Sequence, residues 1–514
     1  MKTTSSPPPS QSVNGTGRFR SLLWALMVLI GSVGTLFWKS LQPEFVLFAN
    51  DAPLGALHAE AGRLPGTFFG FWQDLNWVGL AVLGATPNLS QILGAIVGSP
   101  LFVAKFYVPL SLTFLGISCW FFVRRLGFRT EVSILSGIAA AMASNPVSYA
   151  CWGLPAKAFS LGFTLLALAA LAGRESGWRR WLWMAIAGLA TGLNVSEGGD
   201  MGAILSLYVA GFLTWRCWAE TADTRHRLVD ATARLTVVVV FAGWIAAHAI
   251  HSLVSTQIIG VSGMDQKRET EAQRWQFASA ISLPPVESLR IVVPGLFGYR
   301  MDSPDGGAYW GAVGFDGTHK GRFSGAGEYA GVLVVLVASY AAASSIRKRQ
   351  SPYSEQERRM VWFWSAVAAG SLALSWGHFA PFYRIFFSIP YLSTIRIPSK
   401  FLHVMHLALW VLFAYGLEAI ARGMAGPGIE RPGNWKERWA AWRKAAPPGD
   451  VNWVFGAIAC FAITLVATVQ YAGSVSELRT HLRGIEFHMG PPATAEFSIG
   501  EAWKALGFFT VSLA

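Results

Sequence analysis

Apolar runs of near membrane-crossing length recur along this chain, separated by polar stretches of unequal size. A helix needs about 20 apolar residues to cross a bilayer. Runs close to that length fall at about 21–38, 102–123, 131–148, 158–173, 181–195, 201–218, 235–258, 328–346, 360–376, 401–421 and 451–472. They predict an all-α, polytopic integral membrane protein with about 11 transmembrane helices. A further apolar run opens near Trp503 and is unfinished at Ala514, so it reads as the start of an incomplete last span. Residues 1–20 begin with the Pro/Ser-rich "MKTTSSPPPSQSVNGTG" and predict a disordered cytoplasmic tail. Residues 21–472 form the expected transmembrane domain, and 473–514 an outer segment leading into the truncated span. The first run is followed by "WKSLQPEF", which has no small-x-small cleavage site, so it reads as an uncleaved span.

Composition agrees with this class: 53% of residues are hydrophobic and 14% charged, against roughly a quarter charged in soluble domains. The net charge of +12 raises nucleic acid as a partner, but its distribution argues against that. Threading the spans alternately gathers "RFR" (18–20), "RRLGFR" (124–129), "RESGWRR" (174–180), 216–234, 347–359 and 422–450 on one side with the N-terminus. Positive loops stay cytoplasmic. The basic balance is then a property of topology, with the N-terminus inside. The stretch "WKERWAAWRKAAPPG" (435–449) alternates Trp with bases, as an amphipathic segment on an anionic leaflet or a solvated connector would. The cysteines at 119, 151, 217 and 460 share no metal-ligand spacing and read as small buried residues.

The opposite side carries three outer loops, 39–101, 259–327 and 377–400. In the first, Leu54, Leu57, Ala61 and Leu64 recur at helical spacing, predicting a short interfacial helix. Asp51 stands at its start. "DAP" suits a helix N-cap followed by Pro in the first turn, and the carboxylate is equally placed for chemistry at the membrane surface. Asp74, in "FGFWQDLNWVG", lies among aromatics at headgroup level. Residues 78–98 read as interfacial or re-entrant helices.

Four more groups carry candidate chemistry. Lys157, in "CWGLPAKAFS", can snorkel or hold a lipid phosphate. Glu197 and Asp200, in "NVSEGGD" (194–200), mark a turn or a pair of oxygen ligands for a divalent cation, Mg or Mn. Arg396 and Lys400, in "STIRIPSKF" (393–401), can anchor the interface or grip a phosphate. His403 and His406 share a helix face within a span and read as packed polar residues. No P-loop, GxSxG, HExxH or Rossmann glycine pattern stands in a credible setting.

Several stretches together resemble one family. "VPGLFGYRMDSPDGGAYWG" (293–311), "GEYAGVLVVLVASYAA" (327–342), "WGHFAPFYRIFFSIPYLSTIRIPSKFLHVMHLALW" (376–410), "FANDAPLG" (48–55) and "SYACWGLPAKAF" (148–159) resemble the YfhO-like bacterial polytopic membrane proteins, placed in the GT-C superfamily of glycosyltransferases. The resemblance implies a GT-C-like fold in the bacterial inner membrane, a sugar donor carried on polyprenyl phosphate, and a cell-envelope acceptor on the outer face. It implies a catalytic base in the first outer loop, where Asp51 matches. Arg396, Lys400 and Lys157 are then the candidates for the donor phosphate, and Asp74, Glu197 and Asp200 for the acceptor or a metal. Family members usually continue with further spans and an outer domain, whereas this chain stops inside an apolar run, as expected of a fragment, a split gene product or a shortened relative needing a partner subunit. Two other classes stay open: a lipid or lipid-linked-sugar transporter, and a non-catalytic subunit of a membrane complex.

Overall fold

The computed structural model describes residues 15–513 apart from 48, 64–65, 67–71, 74–79, 82–88, 221–223, 255–269, 300–306, 316–321, 323–326, 348–349, 390–391, 425–433, 486 and 488–489. The apolar runs fold as helices, since backbone groups away from water must pair within their own segment. The N-terminal part holds α1 (Gly15–Leu36), α2 (Trp38–Leu41), α3 (Leu54–Ala61) and α4 (Leu89–Val97). A long α5 (Pro100–Arg125) leads to α6 (Thr130–Ala141) and α7 (Ser144–Trp152). Then come α8 (Ala156–Ala172), α9 (Gly177–Gly198), α10 (Asp200–Glu220) and α11 (Thr224–Leu253). The C-terminal part holds α12 (Glu271–Ser279), α13 (Val332–Ile346), α14 (Glu355–Ser375), α15 (Phe382–Phe387) and α16 (Phe401–Met424). It closes with α17 (Trp435–Ala445), α18 (Pro448–Gly473), α19 (Val475–Gly484) and α20 (Pro491–Leu513). A two-stranded antiparallel ribbon, β1 (Trp72–Gln73) with β2 (Leu80–Ala81), was not expected from the sequence.

Among the described residues, 5 helices are both long and apolar enough to cross a membrane: Phe19–Leu36, Pro100–Arg125, Leu228–His251, Pro398–Gly423 and Pro448–Gly473. The larger expected number is not reached on this measure for a physical reason. Thr130–Ala141, Ala156–Ala172 and Val332–Ile346 are apolar but short, and α9, α10 and α14, though long, are not among the five. The expected span at 131–148 is two helices, interrupted at Met142–Ala143 and restarted ahead of Asn145–Pro146. The run expected to open near Trp503 is the second half of α20, which starts at Pro491 and turns Glu501 inward beside Lys504, 2.5 Å away.

The centre of the bundle is α16, whose Phe401, Val404, Trp410, Val411 and Ala414 are fully enclosed. It packs with α6, α7, α13 and α14. Around it, α11 and α18 turn Val239, Val240, Trp244, Ile463 and Val466 outward, as lipid-facing helices do.

Helix ends collect at two poles with different chemistry. At one, arginines clasp successive helices. Arg125 forms a two-point bridge to Glu175 at 2.6 and 2.9 Å. Arg422 reaches Glu357 at 2.8 Å, Arg347 reaches Asp450 at 2.7 Å, and Arg216 donates to the Gly173 carbonyl at 2.7 Å. At the other pole, segments 271–299, 307–315 and 327–331 form a cover held by a buried network. Arg290 bridges Glu287 and Glu328 at 3.2 and 2.8 Å. Glu287 also accepts from the Tyr309 hydroxyl at 2.6 Å and the Ala312 amide at 2.7 Å. Burial works against the Arg290 charge, but Glu328 and Glu287 outweigh it and hold its pKa above the ordinary value. The cover ties to α14 through Leu283 N–H on the Ser375 carbonyl, and its two segments join through Ala330 N–H on the Ile291 carbonyl, both 2.9 Å.

Candidate functional site

Asp51 does not cap α3. The helix starts at Leu54, its N-cap position is Pro53 in extended backbone (φ −64°, ψ 153°), and no side chain bonds to its first turn. Two residues therefore separate the carboxylate from the helix. The Asp51 amide instead donates to the Trp152 carbonyl at 2.9 Å, and its exposed carboxylate accepts from the Asn50 amide at 2.9 Å. A helix itself forms where the apolar spacing put it, and α4 lies within the stretch 78–98, where helices were expected.

Trp152 ends α7, and Gly153 follows with φ +114°. This left-handed turn needs glycine. A Cβ here would stand 2.6 Å from the Ala52 nitrogen and 2.9 Å from that of Asp51. The same turn feeds α8, which puts Lys157 on its first turn. The Lys157 ammonium lies 4.0 Å from the centroid of the Tyr149 ring. It feels the charges of Lys400, Asp200 and Asp51.

Asp200 and Lys400 arrive from two other segments. Gly199, at φ +52°, turns the chain sharply so that Asp200 opens α10. Lys400 closes a short 3-10 turn, Pro398–Lys400, immediately before α16. The two side chains form an ion pair, with Lys400 9% and Asp200 34% exposed. The approach to that turn is unusual: Ile397 has φ +67°, a costly conformation for a β-branched residue. It is held by its N–H on the Ala278 carbonyl at 2.9 Å and by Ser399 N–H on the Ile281 carbonyl at 3.2 Å. Arg396, next to this kink, stacks its guanidinium over Phe277 at 5.1 Å, and its charge acts on Lys400.

Asp51, Lys157, Asp200, Lys400 and Arg396 thus gather at the pole opposite the arginine clasps, and two acids against three bases leave one net positive charge. Glu197 does not join them. The Glu197 carboxylate is committed to Ser90, accepting from its amide at 3.1 Å and its hydroxyl at 2.6 Å, which ties α4 to α9. Asp74 lies outside the described residues. Glu197 is bonded to Ser90 and Asp200 is paired with Lys400, and among the described residues no group of three His, Cys, Asp or Glu could hold a metal ion. With both carboxylates so engaged, these residues do not fit the expected Mg or Mn site.

Sequence reasoning missed the support beneath Lys157. His403 is fully buried, and its Nδ1 lies 2.5 Å from the Asn145 side-chain oxygen. Its ring faces Tyr149, centroids 4.6 Å apart. The one local signal was the Asn-Pro pair inside an apolar run, which here opens α7.

No protein-family model matches the chain, and no curated protein matches it. Among solved structures, the chain is similar to the crystal structure of an oligosaccharyltransferase from Archaeoglobus fulgidus in its apo form, at 14% identity and a TM-score of 0.43. The match covers 82% of this chain and 54% of that one, so the chain spans about half the length of that protein.

Proposed function

We propose that the protein is a membrane glycosyltransferase of the GT-C kind, moving a sugar from a polyprenyl-phosphate donor to a cell-envelope acceptor at the outer face. The observation that carries this reading is the convergence of Asp51 with Lys157, Asp200 and Lys400 at the pole away from the arginine clasps. A lipid-linked donor keeps its tail among apolar helices and its reactive carbon at headgroup level. The protein must therefore offer a base and phosphate-binding cations at that depth.

The chemistry follows from the charges. Asp51 accepts the proton of an acceptor hydroxyl as its oxygen bonds to the anomeric carbon. The bond from that carbon to the phosphate oxygen breaks, and its electron pair leaves with the polyprenyl phosphate. Lys157, Lys400 and Arg396 stabilise the charge growing on that phosphate. Asp200 pairs with Lys400, so the group of cations is not strongly positive on its own. Attack opposite the leaving group inverts the anomeric centre. The arginine-rich pole then faces the cytoplasm, in the bacterial inner membrane that the sequence resemblance implies.

Purified protein in lipid nanodiscs, given radiolabelled polyprenyl-phosphate sugars and envelope acceptors, should transfer label. Asp51→Asn should lower the rate by roughly 100- to 10,000-fold, as for loss of a general base, without changing the unfolding midpoint. Full activity in that variant refutes the role. Movement of labelled lipid across the bilayer without transfer would favour a transporter, and activity only with a fixed partner a subunit role.

A further inference from the structure

We infer that Tyr149 is a positioning residue that holds Lys157 with its nitrogen donors open to the phosphate of the lipid donor; this rests on the function proposed above. Among the described residues, the Lys157 ammonium has neither an ion pair nor a hydrogen bond, although the charges of Lys400, Asp200 and Asp51 act on it. What it has is the face of Tyr149 at 4.0 Å, well inside the range of a cation–π contact. The difference from Lys400 is chemical. A carboxylate partner takes up N–H donors and cancels charge, as Asp200 does for Lys400. A ring face attracts the ammonium while leaving its donors directed elsewhere.

The ring is itself propped. Asn145 and Tyr149 stand four residues apart on α7, hence on one helix face. His403 on α16 contacts both, bonding Asn145 and facing Tyr149 at 4.6 Å. His403 also lies one turn beyond Lys400. The prop therefore fixes Lys157 relative to the helix whose entrance carries the second cation. A phosphate has several acceptor oxygens and is best held by donors approaching from different directions. An open ammonium beside a neutralised one supplies that geometry.

The test is binding of undecaprenyl phosphate to the full-length protein in nanodiscs, measured by native mass spectrometry, so that no transfer is needed for a readout. Lys157→Met should weaken binding by about tenfold or more, and Tyr149→Leu by a similar factor. Tyr149→Phe keeps the ring face and should stay within about twofold. The double variant should bind no worse than Lys157→Met alone, because the ring acts only through the ammonium. Additive losses, or a Phe variant as weak as Leu, would overturn the inference. Should Tyr149→Leu fail to fold, trifluorophenylalanine at 149 preserves shape and drains the ring face; unchanged affinity there would also overturn it. Binding that depends on Lys157 but ignores the ring sinks this inference and leaves the proposed function standing. Ring-dependent binding without sugar transfer by any variant does the reverse.

Discussion

The amide of Asp51 donates to the carbonyl of Trp152 across 2.9 Å, joining the first outer loop to the corner between α7 and α8. That corner runs Trp152–Gly153–Leu154–Pro155 and places Lys157 on the next helical turn. One backbone contact therefore sets the spacing between the candidate base and a candidate phosphate-binding cation, although 106 positions separate them in the sequence.

Gly153→Ala should disturb that spacing. Alanine is disfavoured at φ +114° by about 1–2 kcal/mol, and its Cβ would press on the Ala52 nitrogen at 2.6 Å. Transfer should fall by at least about tenfold, the factor that 1.4 kcal/mol represents, while the protein still folds. Rate measurements beside thermal unfolding in detergent check this. A variant with wild-type turnover would show that the corner does not govern the site.

What was legible before the structure was the set of residues whose role depends on their own segment. Asp51 past the first span, Lys157 at a helix start, and Arg396 and Lys400 at the entrance to α16 each stood out because a charge beside an apolar run is costly and needs a reason. What was not legible depends on distant partners. Glu197 stood as a turn residue or one of a pair of ligands, and its bond to Ser90, 107 positions away, had no local sign. Asn145 gave no hint of His403, 258 positions on. Asp51 looked like a cap because local pattern cannot show that its amide is spoken for elsewhere. The break between α6 and α7 was hidden because hydropathy averages over it.

Asp200 and Lys400 should behave as a coupled pair. Asp200→Asn leaves an ammonium that is 9% exposed without its counter-charge. For a buried pair such a change costs about 3–5 kcal/mol; with Asp200 34% exposed, solvent reduces this to about 1–2 kcal/mol. Lys400→Met combined with Asp200→Asn should recover most of that stability but not the activity. Denaturation and transfer assays on both single variants and the double check it. Strictly additive destabilisation would mean that the pair contributes no coupling.

Glu175 gives a pH signature at the opposite pole. Its hydrogen bonds to Arg125, opposed by burial, hold its carboxyl below the ordinary value of 4.5. A depressed native value means that the unfolded state takes up protons first as pH falls. The bridge should therefore contribute its full stability above the ordinary carboxyl range and lose it as pH drops from about 4.5 through the lower native value. Glu175→Gln should be less stable than the wild type at pH 7, with the gap closing in acid. A gap that widened as pH fell would contradict this assignment.

Sidedness is the prediction on which the proposed chemistry depends most. Glu60 on α3 lies nine positions beyond Asp51, and Ala440 on α17 lies between the end of α16 and the start of α18; both are exposed. In a background with Cys119, Cys151, Cys217 and Cys460 replaced, Glu60→Cys should react with a membrane-impermeant maleimide added outside intact cells. Ala440→Cys should react only after the membrane is opened or inverted. The reasoning is electrostatic: the clasps of Arg125, Arg216, Arg347 and Arg422 mark the pole that resists translocation, and Asp51 stands at the other. An acceptor in the envelope can meet the base only if that second pole is outside. Reversed labelling would put Asp51 in the cytoplasm, where a nucleotide-linked donor would serve as well and the lipid-phosphate reading would lose its basis.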